Sequence, residues 1–584
     1  MRKQPVQTIF RSDCFYGVAL LIGGLFLLGC GVFQIGPVQA QTVHPGAGNV
    51  LMEPDRPELS LPIADKKLVI AHYMTGMIPT PEGEADHWMS PDYYDPDGST
   101  AKIGGIYQTL PVPMLLYPDG LPPMKQAALL EMRTAKALGV DGFNFYYPFG
   151  PDEAFRDRYD RFILSFFEAA KENNLDFKLT LCIAPFGAMD MTTEQKVQTL
   201  GSHLGSMINR SGDSDNWLKT PDGRYLIYTW LADAIVNEDL DGKHWEIRDH
   251  PELLQKAATL YQRIADVAGV EAAFLYHLDQ PQDPAFVEKV LDCFPAVYGW
   301  CAVGDDLALW NRVAEQCRTR GRTYIQEVHP AFYGSKVHPK NSHAMIHSPK
   351  RAVDMGIDQI ERHAQITGLT QTFRDKLQMA IDHDSPLINL TTWNDYPEGH
   401  HLAPEINHNF GFSVLMKHYL AQWRGDANLA NDAVIVFFKK YPADIRPSPF
   451  DISIHNKKAI GEPTIEDGVE VVTLLTKPGV LTVNNFPPRE VSAGMTVSRF
   501  QMEPGPVTTE VKRDDEVVIG LTTPEWITVE PFRTDRLTYS FSSEFNRLYE
   551  QVYGPDAPKH TSQQYAEDAD GVPTWKHGVQ TQYE

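Results

Sequence analysis

Residues 122–148 read PPMKQAALLEMRTAKALGVDGFNFYYP. Met124, Ala128, Met132 and Ala135 recur at helical spacing, and Pro122-Pro123 stands where proline can open a helix. The run Gly142–Pro148 that follows is short and nearly continuously apolar, the pattern of a strand covered on both faces. The same alternation extends in both directions. Candidate strands are Leu68–Met74, Gly142–Pro148, Phe177–Ala184, Tyr225–Leu231, Ala272–Leu278, Ala296–Val303, Tyr324–Val328 and Leu387–Trp393. Tyr159, Phe162, Phe166 and Ala169 repeat the helical face, and further helical stretches are expected near 193–208, 251–267, 285–292, 306–318, 355–382 and 409–423. Eight buried strands, each followed by a helix, predict an α/β fold of the (β/α)8 TIM-barrel type.

Past Pro442 the texture changes. Short β-rich runs (Val469–Thr476, Val480–Val483, Val507–Val511, Glu516–Leu521, Trp526–Val529 and Leu537–Phe541) are separated by turn residues and predict a small antiparallel β-sandwich. The expected organisation is a signal segment over 1–40, a linker over 41–64, a barrel over 65–430, a connector over 431–465, a β-sandwich over 466–545 and a polar tail over 546–584.

The N-terminus reads as an export signal. Arg2, Lys3 and Arg11 precede an apolar run from Phe15 to Phe33, and Val38-Gln39-Ala40 offers small residues at −3 and −1 for cleavage before Gln41. Leu27-Leu28-Gly29-Cys30 resembles a lipobox, and the apolar run is long enough for an uncleaved anchor, so lipid attachment and membrane anchoring are the alternatives. All three place the protein outside the cytoplasm: secreted, periplasmic or at the cell surface. Removing residues 1–40 leaves Cys182, Cys293, Cys301 and Cys317, whose spacing fits no zinc pattern. One disulfide among the last three, or buried free thiols, are both open readings.

The composition, 42% hydrophobic and 22% charged, is that of an ordinary globular chain and excludes collagen-like, coiled-coil and disordered classes. The net charge of −24 repels phosphate backbones, so nucleic acid is excluded as a partner, while a neutral polysaccharide is not repelled. No nucleophile elbow, Walker sequence or dinucleotide fingerprint is present, and no cofactor is expected.

Barrel active sites form at the C-terminal ends of the strands. Those ends carry His72, Tyr146, Asp233, Asp279, Asp305-Asp306, Glu327 and His329. The eighth strand runs into Thr391-Thr392-Trp393-Asn394-Asp395-Tyr396-Pro397-Glu398-Gly399-His400-His401. Carboxylates, aromatics and histidines at one rim suit a sugar, because flat rings stack on pyranose faces and carboxylates move protons. Glycoside hydrolysis uses two carboxyl groups, and Asp395 and Glu398 are the candidate pair. His72, Tyr146, Asp279, Glu327, His329, Trp393, Asn394 and His400 are the candidate substrate-binding residues. His400-His401 with Glu405 offer ligand types but match no metal-ligand spacing, so no metal site is assigned.

Lys67-Leu68-Val69-Ile70-Ala71-His72-Tyr73-Met74-Thr75-Gly76, Gly139-Val140-Asp141-Gly142-Phe143 and Pro221-Asp222-Gly223-Arg224 are similar to segments of glycoside hydrolase family 71, the α-1,3-glucanases or mutanases. Trp393-Asn394-Asp395-Tyr396-Pro397-Glu398-Gly399-His400 resembles that family's W-N-D-Y-G-E-S-H signature. The resemblance, spanning most of 67–425, implies a (β/α)8 barrel, an α-glucan substrate and Asp395 with Glu398 as the catalytic pair. Pro397 stands for the family's Gly and Gly399 for its Ser. An insertion from about Ile78 to Leu121 adds Trp88, Tyr93, Tyr94 and Tyr107 after the first strand. Two rival readings are an endo-α-mannosidase similar to glycoside hydrolase family 99 and a glycan-binding barrel without turnover.

Overall fold

The computed structural model describes residues 59–63, 66–78, 80, 111–116, 122–148, 153–185, 191–212, 214–279, 281–334, 338–339, 359–426, 431–445, 451–529, 536–557, 566–567 and 573–574. The segment expected to direct export, most of the linker, and Trp88, Tyr93, Tyr94 and Tyr107 of the insertion lie outside the described residues.

Eight strands close into a parallel barrel: β1 (Leu68–Tyr73), β2 (Gly142–Pro148), β3 (Lys178–Ala184), β4 (Tyr225–Thr229), β5 (Ala272–His277), β6 (Ala296–Tyr298), β7 (Thr323–Val328) and β8 (Leu387–Leu390). They pair in sequence order, and β8 closes on β1 with Val69 opposite Ile388. Each strand is followed by a helix that packs on the barrel: α1 (Met124–Ala137), α2 (Glu153–Glu172), α3 (Thr193–Ser211), α4 (Leu253–Ala268), α5 (Pro284–Cys293), α6 (Asp306–Thr319), α7 (Gln371–Asp382) and α8 (Gly411–Trp423), with a further short helix, Val112–Leu116, between the first strand and α1. Local chemistry sets their ends. Thr192 and Gln195 form a capping box at α3, Gly212 ends that helix at φ 70°, and Asp283 caps α5 ahead of Pro284.

The strand alternation sorts side chains into two layers. Leu68, Ile70, Leu226, Tyr228, Leu275, Tyr298, Ile325 and Leu387 form one apolar cluster. Their neighbours Val69, Ala71, Ile227, Phe274, Tyr276, Val297, Tyr324 and Ile388 belong to a second cluster that they share with the helices. The first fills the barrel and the second seals it against the helical shell.

Beyond α8 the chain builds two antiparallel sheets of four strands. In one, 494–501, 468–475, 433–439 and 538–542 lie side by side; in the other, 489–491, 479–483, 505–513 and 516–527 do so. Two expectations are corrected. The stretch read as a connector carries the strand Ala433–Lys439, whose Val434-Ile435-Val436-Phe437-Phe438 run is buried between two partner strands. It also carries Asp451–Ala459, paired in parallel with Gln359–Ile366. Gln359–Ile366 lies where a helix over 355–382 was expected. Ile360 and Ala364 are four apart and mimic a helical face, but the hydrogen-bond partner is a strand far along the chain. The four cysteines Cys182, Cys293, Cys301 and Cys317 are free thiols.

The first sheet is joined to the barrel through α8 and its approach. Phe412 packs on Phe437 at 5.0 Å, Ser540 Oγ donates to the His408 carbonyl at 2.6 Å, and the Ser540 amide donates to the Asn407 carbonyl at 3.0 Å.

Candidate active site

Carrying the inward alternation one step past the filled interior brings aromatic rings to the barrel mouth. His72 follows Ile70, Trp230 follows Tyr228, His277 follows Leu275 and Trp300 follows Tyr298, each two residues on. Trp230 stacks on His277 with centroids 4.3 Å apart and planes 16° from parallel. Trp300 meets Trp230 edge-on at 4.3 Å and His72 at 5.0 Å, and Tyr146 lies 5.9 Å from His72. Trp230, Trp300 and Tyr146 are half-buried. The two tryptophans are absent from the sequence-derived site, although the step of two from Tyr228 and Tyr298 pointed to them.

The loop leaving β8 is held on both sides. The Trp393 amide donates to the His72 carbonyl at 2.7 Å, while Thr392 donates to the His400 carbonyl at 2.9 Å. Asn394 accepts from the Met74 amide at 2.7 Å and donates to the Met74 carbonyl at 3.1 Å, clamping the loop after β1. Asp395 then caps the single turn Tyr396–Glu398: its Oδ1 accepts the Glu398 amide at 3.2 Å, and its own amide donates to Thr392 Oγ1 at 2.9 Å. Gly399 leaves the turn at φ 65°, where an added Cβ would lie 2.8 Å from the Tyr333 carbonyl oxygen; only glycine fits both conditions.

This turn aims both carboxylates at one imidazole. His400 Nε2 lies 3.5 Å from Asp395 Oδ2 and 3.3 Å from Glu398 Oε2, and one ligand atom from each of the three lies within 4.8 Å of the others. Phe332 stacks on His400 at 5.5 Å, and Cys301 Sγ is 3.9 Å from its Nδ1. Burial works against charge on His400, but the Cys301 sulfur and the Asp395 and Glu398 carboxylates outweigh it and raise its pKa well above the ordinary value. The Asp395 side chain is 8% exposed and that of Glu398 25%, so Glu398 is the member that reaches solvent.

The other sequence-derived candidates divide. His72 is buried, with Nδ1 2.6 Å from Asn144 Oδ1, and burial holds it neutral with a pKa near about 3. Asp279, just past β5, reaches solvent while the protein crowding it pushes its carboxyl up to about 6. Asp233 lies buried close by, hydrogen-bonded by the Tyr276 hydroxyl at 2.7 Å; burial and then the Asp279 charge raise its pKa well above the usual range.

Four candidates are buried and hydrogen-bonded within the protein. Trp393 is fully buried against Phe143, with Nε1 donating to Glu131 Oε2 at 2.5 Å. Asn394 spends its amide on the clamp described above. Glu327 and His329 are buried in a network with Lys376, whose ammonium donates to Glu327 Oε2 and to His329 Nδ1, the latter at 2.7 Å. His329 Nε2 meets Gln365 Oε1 at 3.1 Å, and Gln365 in turn donates to the Cys301 carbonyl at 3.0 Å. Lys376 sits on α7 far from Glu327 in sequence, so no local pattern announces the pair.

A closed parallel barrel whose C-terminal mouth holds two adjacent carboxylates beside half-buried aromatic rings has the build of a barrel glycosidase. Residues 124–534 match the sequence profile of Glycosyl hydrolase family 71, and the chain belongs to that family. It is 28% identical over 170 residues to the mutanase Pc12g07500 of Penicillium rubens; the alignment takes in 26% of this chain and 37% of the mutanase, so the chain spans little more than a third of that curated relative. Among solved structures, the GH99 endo-alpha-mannosidase from Bacteroides thetaiotaomicron is similar at 12% identity and TM-score 0.41, covering 62% of this chain and 98% of that one. A beta-glucuronidase of Bacteroides uniformis is similar at 11% identity and TM-score 0.36, covering 68% of this chain and 43% of that one.

Proposed function

We propose that this chain is an exported glycoside hydrolase that cleaves α-1,3-linked glucan through Asp395 and Glu398. The observation that carries the reading is the pair itself: two carboxylates presented by one capped turn at the barrel mouth, their nearest oxygens within 4.8 Å. One oxygen of each carboxylate lying within that distance favours retention, for which the carboxyl groups stand about 5–5.5 Å apart, over inversion at about 6.5–9.5 Å. The proposed course is therefore retaining. Asp395, steadied by the Glu398 amide, attacks the anomeric carbon as its anion. Glu398, the more exposed, protonates the leaving oxygen, and a glycosyl ester on Asp395 results. Glu398 then takes a proton from water as that water opens the ester.

Membership of family 71 and the mutanase relative support an α-glucan as substrate, and the half-buried Trp230, Trp300 and Tyr146 supply faces for sugar rings. Export is part of the same reading, supported by Arg2 and Lys3 ahead of the apolar run Phe15–Phe33. The two four-stranded sheets are read as a sandwich that buttresses the barrel, supported by the contacts of Phe437 and Ser540 with α8 and its approach.

The test is reducing-end release from α-1,3-glucan, yeast mannan and starch by wild type, Asp395→Asn and Glu398→Gln. Product from α-1,3-glucan, reduced at least about 10²-fold in both variants, is expected. Unchanged release in both variants overturns the assignment, release from mannan alone redirects it to an α-mannosidase, and binding without product from any glycan redirects it to a lectin-like barrel.

A further inference from the structure

Among the described residues, three groups of side chains of metal-ligand type bring one ligand atom each within 4.8 Å of one another: Cys301–Glu327–His329, Asp395–Glu398–His400 and His401–Glu405–His408. The first already holds a cation, because the Lys376 ammonium donates to both Glu327 and His329. The second is the carboxylate pair with its imidazole. The third has no role in the chemistry above.

His401 follows the bridging His400, and Glu405 and His408 lie on the segment that leads into α8. All three are buried, at 2%, 1% and 6% exposure. The Glu405 carboxylate accepts the amides of Asn407 at 2.7 Å and His408 at 2.5 Å, which fixes it in place. His408 Nε2 lies 3.2 Å from the Ala403 carbonyl oxygen. A carbonyl only accepts, so Nε2 carries the proton and Nδ1 presents a lone pair. That lone pair faces Glu405 Oε1 at 3.4 Å.

His401 strengthens the case. Its ring packs on Tyr396 at 4.6 Å and on His408 at 4.9 Å, yet neither ring nitrogen has a hydrogen-bond partner among the described residues. Buried polar groups are ordinarily satisfied, and although the Asp395 backbone lies within weak hydrogen-bonding reach of this ring, an imidazole nitrogen left idle beside a carboxylate and a second imidazole is the exception that points to a ligand.

We propose that His401, Glu405 and His408 bind one divalent first-row transition-metal ion, zinc foremost, and that the ion pins the segment following the carboxylate pair to the approach of α8. Two imidazole nitrogens and one carboxylate oxygen are a zinc-type donor set, whereas calcium and magnesium take oxygen donors. The spacing of His400, His401 and Glu405 did not reveal the set, because its third member, His408, joins it only in the folded chain.

The full chain, prepared without a polyhistidine tag and stripped with a chelator, is titrated with Zn²⁺ by calorimetry and with Co²⁺ by visible absorption. Wild type is expected to take up one ion, to show cobalt ligand-field bands, and to rise in melting temperature by at least about 2 °C when the ion is restored. His401→Ala and His408→Ala are expected to lose the bands and the shift, and Glu405→Gln to weaken both. Wild type that binds no ion overturns the proposal whatever the variants do, leaving the space to water. Binding that survives unchanged in folded His401→Ala and His408→Ala overturns it as well.

Discussion

Replacing Lys376 by methionine tests the ionic network behind the barrel mouth. Glu327 is buried, with His329 Nδ1 2.9 Å from its Oε1 and the Lys376 ammonium on its Oε2. Burial alone would push the carboxyl up; Lys376 and then His329 outweigh it and hold the pKa at about 2, against an ordinary 4.5. The folded value is the lower one. The contribution to stability is therefore present above the unfolded pKa and lost as pH falls from about 4.5 toward about 2. A gap of this size corresponds to about 3 kcal/mol. Burial also pulls the Lys376 pKa down, so the net worth of the pair is smaller than the Glu327 side alone suggests. Removing only the ammonium is the harsher change, because it leaves a buried carboxylate without its cation, at a cost of about 3–5 kcal/mol. Urea unfolding at pH 7 should show a loss of that order for Lys376→Met. The loss should shrink as pH falls, because the buried Glu327 of the folded variant, lacking its cation, takes up a proton that the wild-type residue does not. The double variant Glu327→Leu/Lys376→Met should recover most of it, since both charges then leave together. A single variant within about 0.5 kcal/mol of wild type, or a double variant no more stable than the single, would refute the reasoning.

Glu131 accepts the Trp393 indole N–H, and burial pushes its carboxyl up to about 7 from 4.5. Here the folded value is the higher, so stability should fall between pH 4.5 and about 7 and then level off. Glu131→Gln should remove that fall and gain up to about 3 kcal/mol at pH 8, a result sunk by a wild type at least as stable there. His400 has the opposite sign for a base. Its contribution is complete below the ordinary 6.5 and should fade as pH climbs through its raised value, so His400→Gln should unfold with a flatter pH dependence above pH 6.5; parallel profiles would count against the bridged pair. Trp300→Ala should lower kcat/KM on α-1,3-glucan about tenfold, a loss of ~1.4 kcal/mol, with circular dichroism unchanged, whereas unaltered kinetics would remove the ring from the substrate path. N-terminal sequencing of protein recovered outside the cytoplasm should begin at Gln41, and a chain retained inside cells would rule out export.

The eight strand-and-helix units were legible in the chain because their signals are local. Met124, Ala128, Met132 and Ala135 declare a helix within a few turns, and Gly142–Pro148 declares a buried strand within one run. All eight barrel strands fall where those runs lie, and the turn that presents Asp395 and Glu398 follows the eighth directly. Side-chain direction past a strand end is another matter. Trp393, placed by sequence at the rim, turns inward to Glu131, while Trp230 and Trp300 line the mouth. Long-range pairing decided the rest. Ala433–Lys439 and Gln359–Ile366 are strands because distant strands complete their hydrogen bonds. Glu327 is paired inside the protein because Lys376 reaches it from α7, and His408 gained a chemical setting because folding sets it beside His401 and Glu405. Periodicity is written along the backbone and survives in one dimension. The charge that neutralises a buried carboxylate, or the lone pair that faces another, exists only once segments far apart in the chain share a volume from which water is excluded.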